Sequence, residues 1–332
     1  MGKKVVCFGE VLLRLAAPDG ERLLQTGSLN VHVGGAEANV AASLAQFGHH
    51  SVMATVLPGN VLGKAALAEL RKYSVDTSAV TILPGRMGLY FMSFGAVVRP
   101  SRIEYDREDS AFAKASSDTI DWNKVLEGAD WLHMSGITPA IGENGTKAAL
   151  KAVRAAKAKG VKVSFDGNYR EYLWKNWKGD GPSIIREILS HATLALINER
   201  DISLVMGRKI EDRSEAYRLA FDAFPELRAL AATTRQTITM DHHRISAELA
   251  KRDERWESRP YNVAGIVDRI GGGDAFAVGL LHGLITDMNK QDNIEFAAAA
   301  SALKHSIRGD FNLVDISDVE YAMGNESLDV RR

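Results

Sequence analysis

The 332-residue sequence has one cysteine, no excess of charge of either sign and no long apolar run. Cys7 alone cannot form an intrachain disulfide, and its place in the first apolar run predicts a buried, inert thiol. The formal net charge is −1, from 41 basic and 42 acidic side chains. Because no global field would attract nucleic acid or an anionic membrane, recognition of a charged ligand requires a local cluster of side chains.

Targeting signals and metal motifs are also missing. No apolar run approaches the roughly 18 residues that a membrane-spanning helix needs, and the first residues contain no signal-peptide core. The pairs His49-His50 and His242-His243 lack zinc-ligand spacing, and we expect them in surface loops. These absences predict a cytoplasmic protein that binds neither nucleic acid nor membrane.

Length and composition predict one large domain. Hydrophobic residues make up 45% of the chain and charged residues 25%, as in ordinary globular proteins. A chain of this size buries roughly 75% of its unfolded surface and needs no disulfide or metal to hold it together. Because no repeat, low-complexity tract or Pro/Gly-rich linker divides it, we expect a single domain over residues 1–332.

Short apolar runs alternate with longer segments of helical period. Most of the runs are apolar on both faces, as strands buried in a parallel sheet must be. This alternation predicts an α/β fold with a mostly parallel central sheet flanked by helices. The strand candidates are Val5–Phe8, Ser51–Val56, Trp131–Met134, Val161–Phe165, Thr193–Ile197 and Leu230–Thr233. The helix candidates include Ala36–Phe47, Leu62–Tyr73, Gly145–Lys159 and Ser214–Phe224.

Two stretches interrupt this rhythm. Leu29–Val33 and Arg102–Arg107 alternate apolar and polar residues, which is typical of half-exposed strands. Together with Gly88–Phe94 they predict a small antiparallel β-sheet apart from the main one. It would be formed by insertions at about residues 12–33 and 86–108.

The second alternating stretch places Ile103, Tyr105 and Arg107 on one face of a strand. A purely structural β-insertion would explain the alternation. Polar residues on the face that should be buried favour the other interpretation, a lid over a pocket. The lid is also a candidate surface for a homo-oligomer.

The strongest local signal is the run Gly271, Gly272, Gly273, Asp274 before a segment of helical period. Consecutive glycines let the backbone approach a ligand closely, and the first amides of a helix favour an anion such as phosphate. Asp274 stands where the loop enters the helix, so its carboxylate would project toward the bound group. A flexible turn with Asp274 as the N-cap explains the pattern equally well.

This glycine run matches neither of two common nucleotide-binding fingerprints. In the dinucleotide pattern G-x-G-x-x-G, Gly271 and Gly273 fit, but Phe276 occupies the third position. The first strand also lacks such a loop, which disfavours a dehydrogenase. The stretch Gly59–Ala65 is one residue short of a P-loop and lacks its Mg²⁺-binding hydroxyl.

A second glycine pair, Gly34-Gly35, follows the alternating Leu29–Val33 stretch and leads into a helix that contains Asn39. It would allow a small ligand to touch the backbone. Taken alone, a plain strand-to-helix turn is the simpler explanation.

Together, the early G-G-x-x-x-N and the late D-x-x-G-x-G-D-A-F resemble the ribokinase/PfkB family of carbohydrate kinases. The resemblance covers nearly the whole chain, including the order of strands and the position of the lid. Within the family the sequence is most similar to the 2-dehydro-3-deoxygluconate kinases. The stretches that support this are Gly9–Leu15, Asp166–Arg170, Leu173-Trp174 and Ala302–Asn312.

The resemblance implies a ribokinase-like fold and ATP-dependent phosphorylation of a sugar hydroxyl with Mg²⁺. It makes Asp274 the general base and the amides of Gly271, Gly272 and Gly273 the anion hole for the transferring phosphoryl group. Phosphoryl transfer requires positioning and charge neutralisation more than covalent help, so the chemistry fits these residues.

The resemblance also implies a substrate side. Arg14 stands where ribokinases carry a sugar-binding Asp, and a cation there favours an acidic sugar over a neutral polyol. The arginines would bind its carboxylate, although surface pairing with Glu104, Asp106 or Glu171 is an alternative. The implied substrate-binding residues are Gly34, Gly35, Asn39, Tyr90, Tyr105, Arg107, Arg170 and Arg14.

On the nucleotide side, Asn198 and Asp201 match the family's N-x-x-E near the Mg²⁺–phosphate site, with Asp in place of Glu. No residue is implied as a direct metal ligand. The usual G-x-x-G nucleotide loop is missing after Leu230–Thr233. The implied nucleotide-binding residues are Asn198, Asp201, Thr234, Arg235, Lys304 and Gly309.

Three functions remain open from the sequence. The first is ATP-dependent phosphorylation of the terminal hydroxyl of 2-dehydro-3-deoxy-D-gluconate. The second is a kinase of a neutral sugar or nucleoside, of fructokinase or ribokinase type. The third, a non-catalytic sugar-binding regulator, is disfavoured by the intact Asp274 and its glycines.

Overall fold

We describe the protein from a computed structural model, which covers residues 2–18 and 20–324. Asp19 in the predicted lid insertion and the two ends of the predicted 1–332 domain lie outside the described residues. The strands in the described ranges are β1 (Lys4–Phe8), β2 (Leu12–Ala16), β3 (Asn30–Gly34), β4 (His50–Pro58), β5 (Val80–Leu83), β6 (Gly88–Ser93), β7 (Arg102–Asp106), β8 (Trp131–Ser135), β9 (Lys162–Asp166), β10 (Leu194–Leu196), β11 (Ala229–Thr239), β12 (His242–Ala250), β13 (Arg255–Glu257) and β14 (Tyr261–Ala264). The helices in the same ranges are α1 (Ala36–Gln46), α2 (Val61–Lys72), α3 (Ala111–Lys114), α4 (Trp122–Val125), α5 (Ile137–Ala140), α6 (Glu143–Ala158), α7 (Glu171–Trp177), α8 (Gly181–Leu189), α9 (Glu199–Met206), α10 (Arg213–Ala223), α11 (Gly272–Ile285), α12 (Lys290–Lys304) and α13 (Ile316–Gly324).

The central sheet has the strand order β13-β12-β11-β10-β9-β8-β1-β4-β5, with β14 also paired to β12. Every pairing along the series β11-β10-β9-β8-β1-β4-β5 is parallel. β12 pairs antiparallel with β11, β13 and β14. The parallel strands are apolar runs because helices cover both of their faces. The predicted α/β fold with a mostly parallel sheet is confirmed.

One apolar cluster fills each side of this sheet. Neighbouring residues of β1 point to opposite faces, so that Phe8 packs with Phe165 and Tyr217 while Cys7 packs with Phe296. The first cluster is covered by α6, α8 and α10, and the second by α1, α11 and α12. Cys7 is completely buried, as predicted, and burial raises the pKa of its thiol.

A second sheet of four strands, which we call the lid sheet, has the order β3-β2-β6-β7. The pairings β2–β3 and β6–β7 are antiparallel, whereas the central β2–β6 pairing is parallel. A separate small sheet was predicted from the alternating stretches and is confirmed. The parallel pair at its centre follows from chain order, since β2 and β6 come from different insertions.

Two sequence-based expectations are corrected. β11 extends to Thr239 and forms a long hairpin with β12, because its polar residues continue as an exposed ribbon beyond the sheet. The expected surface position of the paired histidines is wrong for His49 and His243, which are 7% and 1% exposed. His49 Nε2 lies 2.9 Å from Nδ1 of His282 inside the protein. Among the described residues, no helix is both long and apolar enough to cross a membrane.

Candidate active site

A cavity of about 390 Å³ lies between the lid sheet, the carboxyl ends of β1 and β9, and the start of α11. The carboxyl ends of parallel strands, where loops turn into helices, are where α/β folds place their ligands. The predicted site residues that line this cavity are Gly35, Asn39, Tyr90, Tyr105, Arg107, Arg170, Gly271, Gly272, Gly273 and Asp274.

Asp274 is the third residue of α11 and not its N-cap. The N-cap is Gly271, whose φ of 84° lies in the left-handed region, and no side chain caps the helix. The Asp274 carboxylate instead accepts a hydrogen bond of 2.6 Å from Nδ2 of Asn39. The alternative that Asp274 is only a cap is therefore wrong, and its carboxylate is held toward the cavity.

The surroundings of Asp274 favour its protonated form when no ligand is bound. The pKa of the carboxyl is raised to about 8: burial is the largest cause, the Asn39 hydrogen bond acts against it, and the nearby carboxyls of Asp166, Glu37 and Asp310 add to it. Burial and the neighbouring Asp201 likewise raise the pKa of Asp166 to about 7. The cavity floor is thus a cluster of acids that a cation or a proton would stabilise.

The three glycines of the loop differ in the space around them. A methyl group added to Gly271 would meet the carbonyl oxygen of Asp310 at 2.3 Å, so packing requires glycine there. At Gly272 the nearest atom would be Cε1 of His305, at 3.0 Å. At Gly273 an added methyl would meet no described atom within 4 Å. The start of α11 therefore opens onto the cavity at Gly273, where its amides are available to an anion.

The early glycine pair divides in the same way. Gly35, at φ 132°, lines the cavity, and a Cβ there would lie 2.3 Å from the carbonyl oxygen of Glu10. Gly34 ends β3 and is packed against the Asp310 carboxylate, 2.4 Å from where its Cβ would be. Close packing accounts for Gly34, whereas Gly35 brings backbone to the cavity wall.

The predicted arginines occupy three different environments. Arg170 is exposed and lines the cavity, and within the described part of the chain it donates a hydrogen bond only to the carbonyl of Tyr169, at 3.2 Å. Arg107 also lines the cavity, but Nε and Nη2 donate to Oε2 of Glu10 at 2.9 and 2.5 Å. None of the alternative surface partners is used by these two side chains. Arg170 thus remains open to an anionic ligand, whereas Arg107 is already neutralised.

Arg14 requires a correction, because the structure does not bring it to the cavity. Its side chain is 0% exposed, with Nη2 at 2.7 Å from Oδ2 of Asp268 and Nε at 3.0 Å from Oδ1 of Asp310. Asp310 also accepts a hydrogen bond from the hydroxyl of Tyr90. Arg14 lies behind the cavity wall and positions Asp310 and Asp268, so direct binding of substrate by Arg14 is not supported.

Lys304 and Gly309, two of the predicted nucleotide-binding residues, do not line the cavity either. The ammonium of Lys304 is buried and donates to the carbonyl of Ile307 at 2.8 Å, with its Cε 3.2 Å from the Cβ position of Gly271. The amide of Gly309 donates to Asp268 at 3.1 Å. Both residues pack behind the glycine loop, on the side away from the cavity, because they are attracted by the buried carboxylates of Asp268 and Asp310.

The other predicted nucleotide residues point to different faces of the sheet. Asn198 caps α9 and forms a reciprocal capping box with Asp201, whose carboxylate accepts the Asn198 amide at 3.0 Å. Thr234 accepts a hydrogen bond from Arg213 at 3.1 Å. Arg235 is next to it on β11 and therefore projects from the opposite face.

The acid cluster fits a Mg²⁺–nucleotide better than a dedicated metal cage. Within residues 2–18 and 20–324, no group of three or more His, Cys, Asp or Glu side chains is arranged to hold a metal ion. Mg²⁺ is commonly bound by one or two carboxylates together with phosphate oxygens and water. Burial and then the charge of Asp201 raise the pKa of Asp166, and a cation bound there would favour its ionised form.

Several cavity residues were missed by sequence reasoning. Glu10, Glu37, Asp166 and Asn168 line the cavity but were not predicted as site residues. Glu10 and Asp166 stand at or just after the carboxyl ends of β1 and β9, and that position is a usable signal in a parallel sheet. Arg269 and Asp310 also line the cavity, and both were noted only as parts of longer motifs.

Comparison with known proteins defines the class of this chain. Residues 2–313 match the pfkB family of carbohydrate kinases. The 2-dehydro-3-deoxygalactonokinase of Haloferax volcanii is 30% identical over 331 residues, which cover 99% of this chain and 100% of that protein. The solved 2-dehydro-3-deoxygluconokinase of Thermotoga maritima is 39% identical, with a TM-score of 0.91 and coverage of 97% and 100%. A fructokinase from Xylella fastidiosa, solved with bound ATP, shares the fold at 20% identity, a TM-score of 0.81 and coverage of 97% and 98%.

The chain therefore belongs to the pfkB family of carbohydrate kinases, as the two glycine motifs predicted. It is a sugar kinase of that family, and its similar relatives include kinases of 2-dehydro-3-deoxy sugar acids.

Proposed function

We propose that this kinase transfers the γ-phosphoryl group of ATP to the terminal hydroxyl of 2-dehydro-3-deoxy-D-gluconate. The observation that carries the proposal is Arg170, which lines the cavity and, among the described residues, donates a hydrogen bond only to the neighbouring backbone carbonyl of Tyr169. Arginine binds a carboxylate with two parallel hydrogen bonds, and such charge-assisted pairs are the strong ones. The names of the Thermotoga and Haloferax proteins support the same class of sugar acid.

The chemistry follows from the groups around Asp274. The carboxylate accepts the proton of the sugar hydroxyl, and the Asn39 amide holds the carboxylate in place. The amides of Gly272 and Gly273, at the positive end of α11, stabilise the charge on the transferring phosphoryl group. No covalent bond to the protein is required.

Asp166 on the cavity floor and its neighbour Asp201 are the carboxylates suited to a cation that would accompany ATP. Mg²⁺ bound with ATP would neutralise charge on the phosphate oxygens, and Asp166 and Asp201 are the residues that would hold it. Asp201 keeps the N-terminus of α9 in place through the capping box with Asn198. These residues therefore belong to the nucleotide side of the site.

The lid sheet supplies the rest of the sugar site. Tyr90 and Tyr105, with ring centroids 5.7 Å apart, cover one wall. Arg107, neutralised by Glu10, acts as a hydrogen-bond donor and not as a free charge. We therefore assign the carboxylate of the substrate to Arg170 in the first place.

A coupled ATP-turnover assay across acidic and neutral sugars tests the proposal. We expect kcat/KM for 2-dehydro-3-deoxygluconate to exceed that for fructose or ribose by at least ~10³, because a guanidinium site rejects a ligand that leaves it unpaired. The assay also includes 2-dehydro-3-deoxygalactonate, named for the Haloferax relative. Arg170→Ala should strongly reduce this ratio of kcat/KM values between the sugar acid and the neutral sugars. Arg170→Lys should have a ratio between those of the alanine variant and the unchanged protein.

The matched control is Lys175→Ala on the neighbouring α7, where the ammonium is 71% exposed and pairs with Glu171. Its preference for the sugar acid should equal that of the unchanged protein. Comparable turnover of fructose or ribose by the unchanged protein would refute the assignment of an acidic substrate. The protein would then be a kinase of a neutral sugar.

A further inference from the structure

Arg269 is a half-buried arginine that lines two cavities. It lines the active-site cavity together with Gly273 and Asp274. It also lines a second cavity of about 680 Å³, bordered by Met240 and Asp241 at the tip of the β11–β12 hairpin. Across residues 2–18 and 20–324, no carboxylate lies within ion-pairing distance of its guanidinium.

A second arginine faces the same place. In the β11–β12 register Arg235 lies opposite Ile245, and Thr237 lies opposite His243, so Arg235 and His243 share one face of the hairpin. On that face the ring of His243 is 6.3 Å from the ring of His305, centroid to centroid. His305 in turn lies against Gly272 at the start of α11. The hairpin therefore directs Arg235 toward the glycine loop.

The charges in this cluster are all of one sign. Burial and the charge of Arg235 lower the pKa of Arg269. Burial, then Arg235 and Arg269, lower the pKa of His243 to about 4. Neither ring nitrogen of His243 has a hydrogen-bond partner, although the residue is 1% exposed. The unliganded protein thus holds positive charge and unused donors beside the glycine loop.

Three other buried or half-buried arginines are neutralised by acids. Arg14 has Asp268 and Asp310, Arg107 has Glu10, and Arg213 has two glutamates within 3.5 Å. A half-buried guanidinium without such a partner has lost part of its hydration, and no ion pair offsets the free-energy cost of that desolvation. This cost is recovered when a polyanion occupies the cavity, as in other sites that bind phosphates.

We propose that Arg269 binds the phosphoryl group in transfer and that Arg235 binds the phosphates behind it. The proposal rests on the kinase function proposed above. The bond from γ-phosphorus to the bridging oxygen of ATP breaks, and its electron pair leaves with ADP. A bond from the sugar's terminal oxygen to phosphorus forms, and the hydroxyl proton passes to Asp274. Arg269 takes no proton and neutralises charge on the phosphoryl oxygens throughout.

The test compares Arg269→Gln, Arg269→Lys and Arg235→Gln with the unchanged protein. Arg228→Gln is the matched control, since Arg228 is exposed and precedes β11 at the end of the strand away from the cavity. We expect Arg269→Gln to lower kcat at least ~100-fold, with KM for the sugar acid within about twofold. Arg269→Lys should recover part of the loss, because the charge returns without the planar fork. Arg235→Gln should mainly raise KM for ATP.

Two further measurements separate binding from structure. Calorimetry with Mg²⁺ and either ADP or the imidodiphosphate analogue of ATP should show that Arg269→Gln loses the preference for the analogue. Its Tm should equal or exceed that of the unchanged protein, because a cation without an acidic partner has been removed. A Tm lower by several degrees would assign Arg269 a structural role and overturn the proposal.

The outcomes distinguish this proposal from the kinase function. If the unchanged protein binds neither nucleotide, the kinase function itself is wrong. If it binds and turns over ATP while Arg269→Gln keeps more than a third of kcat and the same nucleotide preference, the kinase stands and the role of Arg269 is refuted.

Discussion

Asp274 is the residue on which the chemistry depends. It combines a raised pKa, which gives a stronger base than an ordinary carboxylate, with a fixed orientation given by Asn39. We predict that Asp274→Asn folds and lowers kcat by about 10²–10⁴, equivalent to roughly 3–5 kcal/mol of barrier. A coupled assay at saturating ATP and sugar measures the loss. A variant that keeps more than a third of kcat with unchanged KM would remove Asp274 from the mechanism.

The Asn39 amide sets how strongly Asp274 holds its proton. Because the amide donates to the carboxylate form, it opposes the effect of burial, and the resulting pKa of Asp274 is about 8. The base must be ionised, so kcat/KM should rise with pH up to about that value. In Asn39→Ala the pKa of Asp274 rises further, and the ascending limb should move to higher pH. Activity should therefore fall more at pH 6 than at pH 9.

Gln46→Ala is the control for this shift, because Gln46 lies at the other end of α1 and bonds to the carbonyl of Asn312. Its pH profile of kcat/KM should coincide with that of the unchanged protein between pH 5.5 and 9.5. A uniform loss in Asn39→Ala at every pH would show that Asn39 binds substrate without tuning the base.

At the scale of elements, a buried charge network joins the lid sheet to the glycine loop. Arg14 of β2 forms ion pairs with Asp310 and with Asp268 just before the loop, and the hydroxyl of Tyr90 of β6 donates a hydrogen bond to Asp310. Lys304 at the end of α12 lies under the same loop. Because breaking a buried pair leaves a charge without a partner, this network fixes the base of the lid relative to α11.

Strand β7 forms one edge of the lid sheet. Ile103 and Tyr105 line the cavity, and the ring of Tyr105 stacks on that of Tyr172 at 5.7 Å. We predict that a double change to alanine at these two positions raises KM for the sugar at least tenfold more than KM for ATP. Closure of such a sheet would exclude water from the reaction, so ATP hydrolysis without sugar should also increase.

Glu104→Ala provides the control, since Glu104 lies between these residues on the opposite face and pairs with exposed Arg102. It should leave both KM values unchanged. Equal increases of KM for sugar and ATP in the double variant would mean that β7 only supports the fold.

The comparison of sequence and structure shows which elements a pattern can predict. The parallel strands were predictable because burial on both faces leaves an apolar run, and the glycine loop because helix N-termini and phosphate need the same backbone. The outer half of β11 was not, because an exposed ribbon has no apolar period. Arg14 and Lys304 were assigned to ligands because a sequence gives a charge without its partner. Asp268, the partner of Arg14, is 254 residues away.

At the scale of the whole molecule, near-neutral net charge conceals a local imbalance. The floor of the cavity concentrates Glu37, Asp166 and Asp274, with Asp201 near Asp166, and burial is the first cause of the raised pKa of each of these four carboxyls. On the side of the glycine loop, Arg235 and Arg269 have no acidic partner among the residues that the structure describes. The acids of the cavity floor and the arginines of the loop side do not pair with one another. Their burial lowers the free energy of unfolding, and this loss of stability is the cost of a site that can bind a charged ligand.

This imbalance predicts how stability depends on pH. The pKa of Asp274 is about 8 in the folded protein, against an ordinary value of 3.8. Below about pH 4 both states are protonated, so Asp274→Asn should not change the free energy of unfolding. Between about pH 4 and 8 the unfolded chain releases the proton while the folded protein keeps it, so stability falls as pH rises. Above pH 8 the folded protein contains the full cost of the buried charge.

We therefore expect Asp274→Asn to raise the free energy of unfolding by about 1 kcal/mol at pH 8.5, and by much less at pH 4.5. The gain is smaller than the full shift in pKa would give, because water reaches the cavity. Urea titrations of both proteins at the two pH values measure it, with Asp292→Asn as the control. Asp292 lies in the exposed first turn of α12, so its change should show no such gain with rising pH. An equal gain from Asp274→Asn at pH 4.5 and 8.5 would mean that its stability effect is not linked to ionisation. The general base would then have an ordinary pKa, and the ascending limb of kcat/KM should lie near pH 4 instead of near 8.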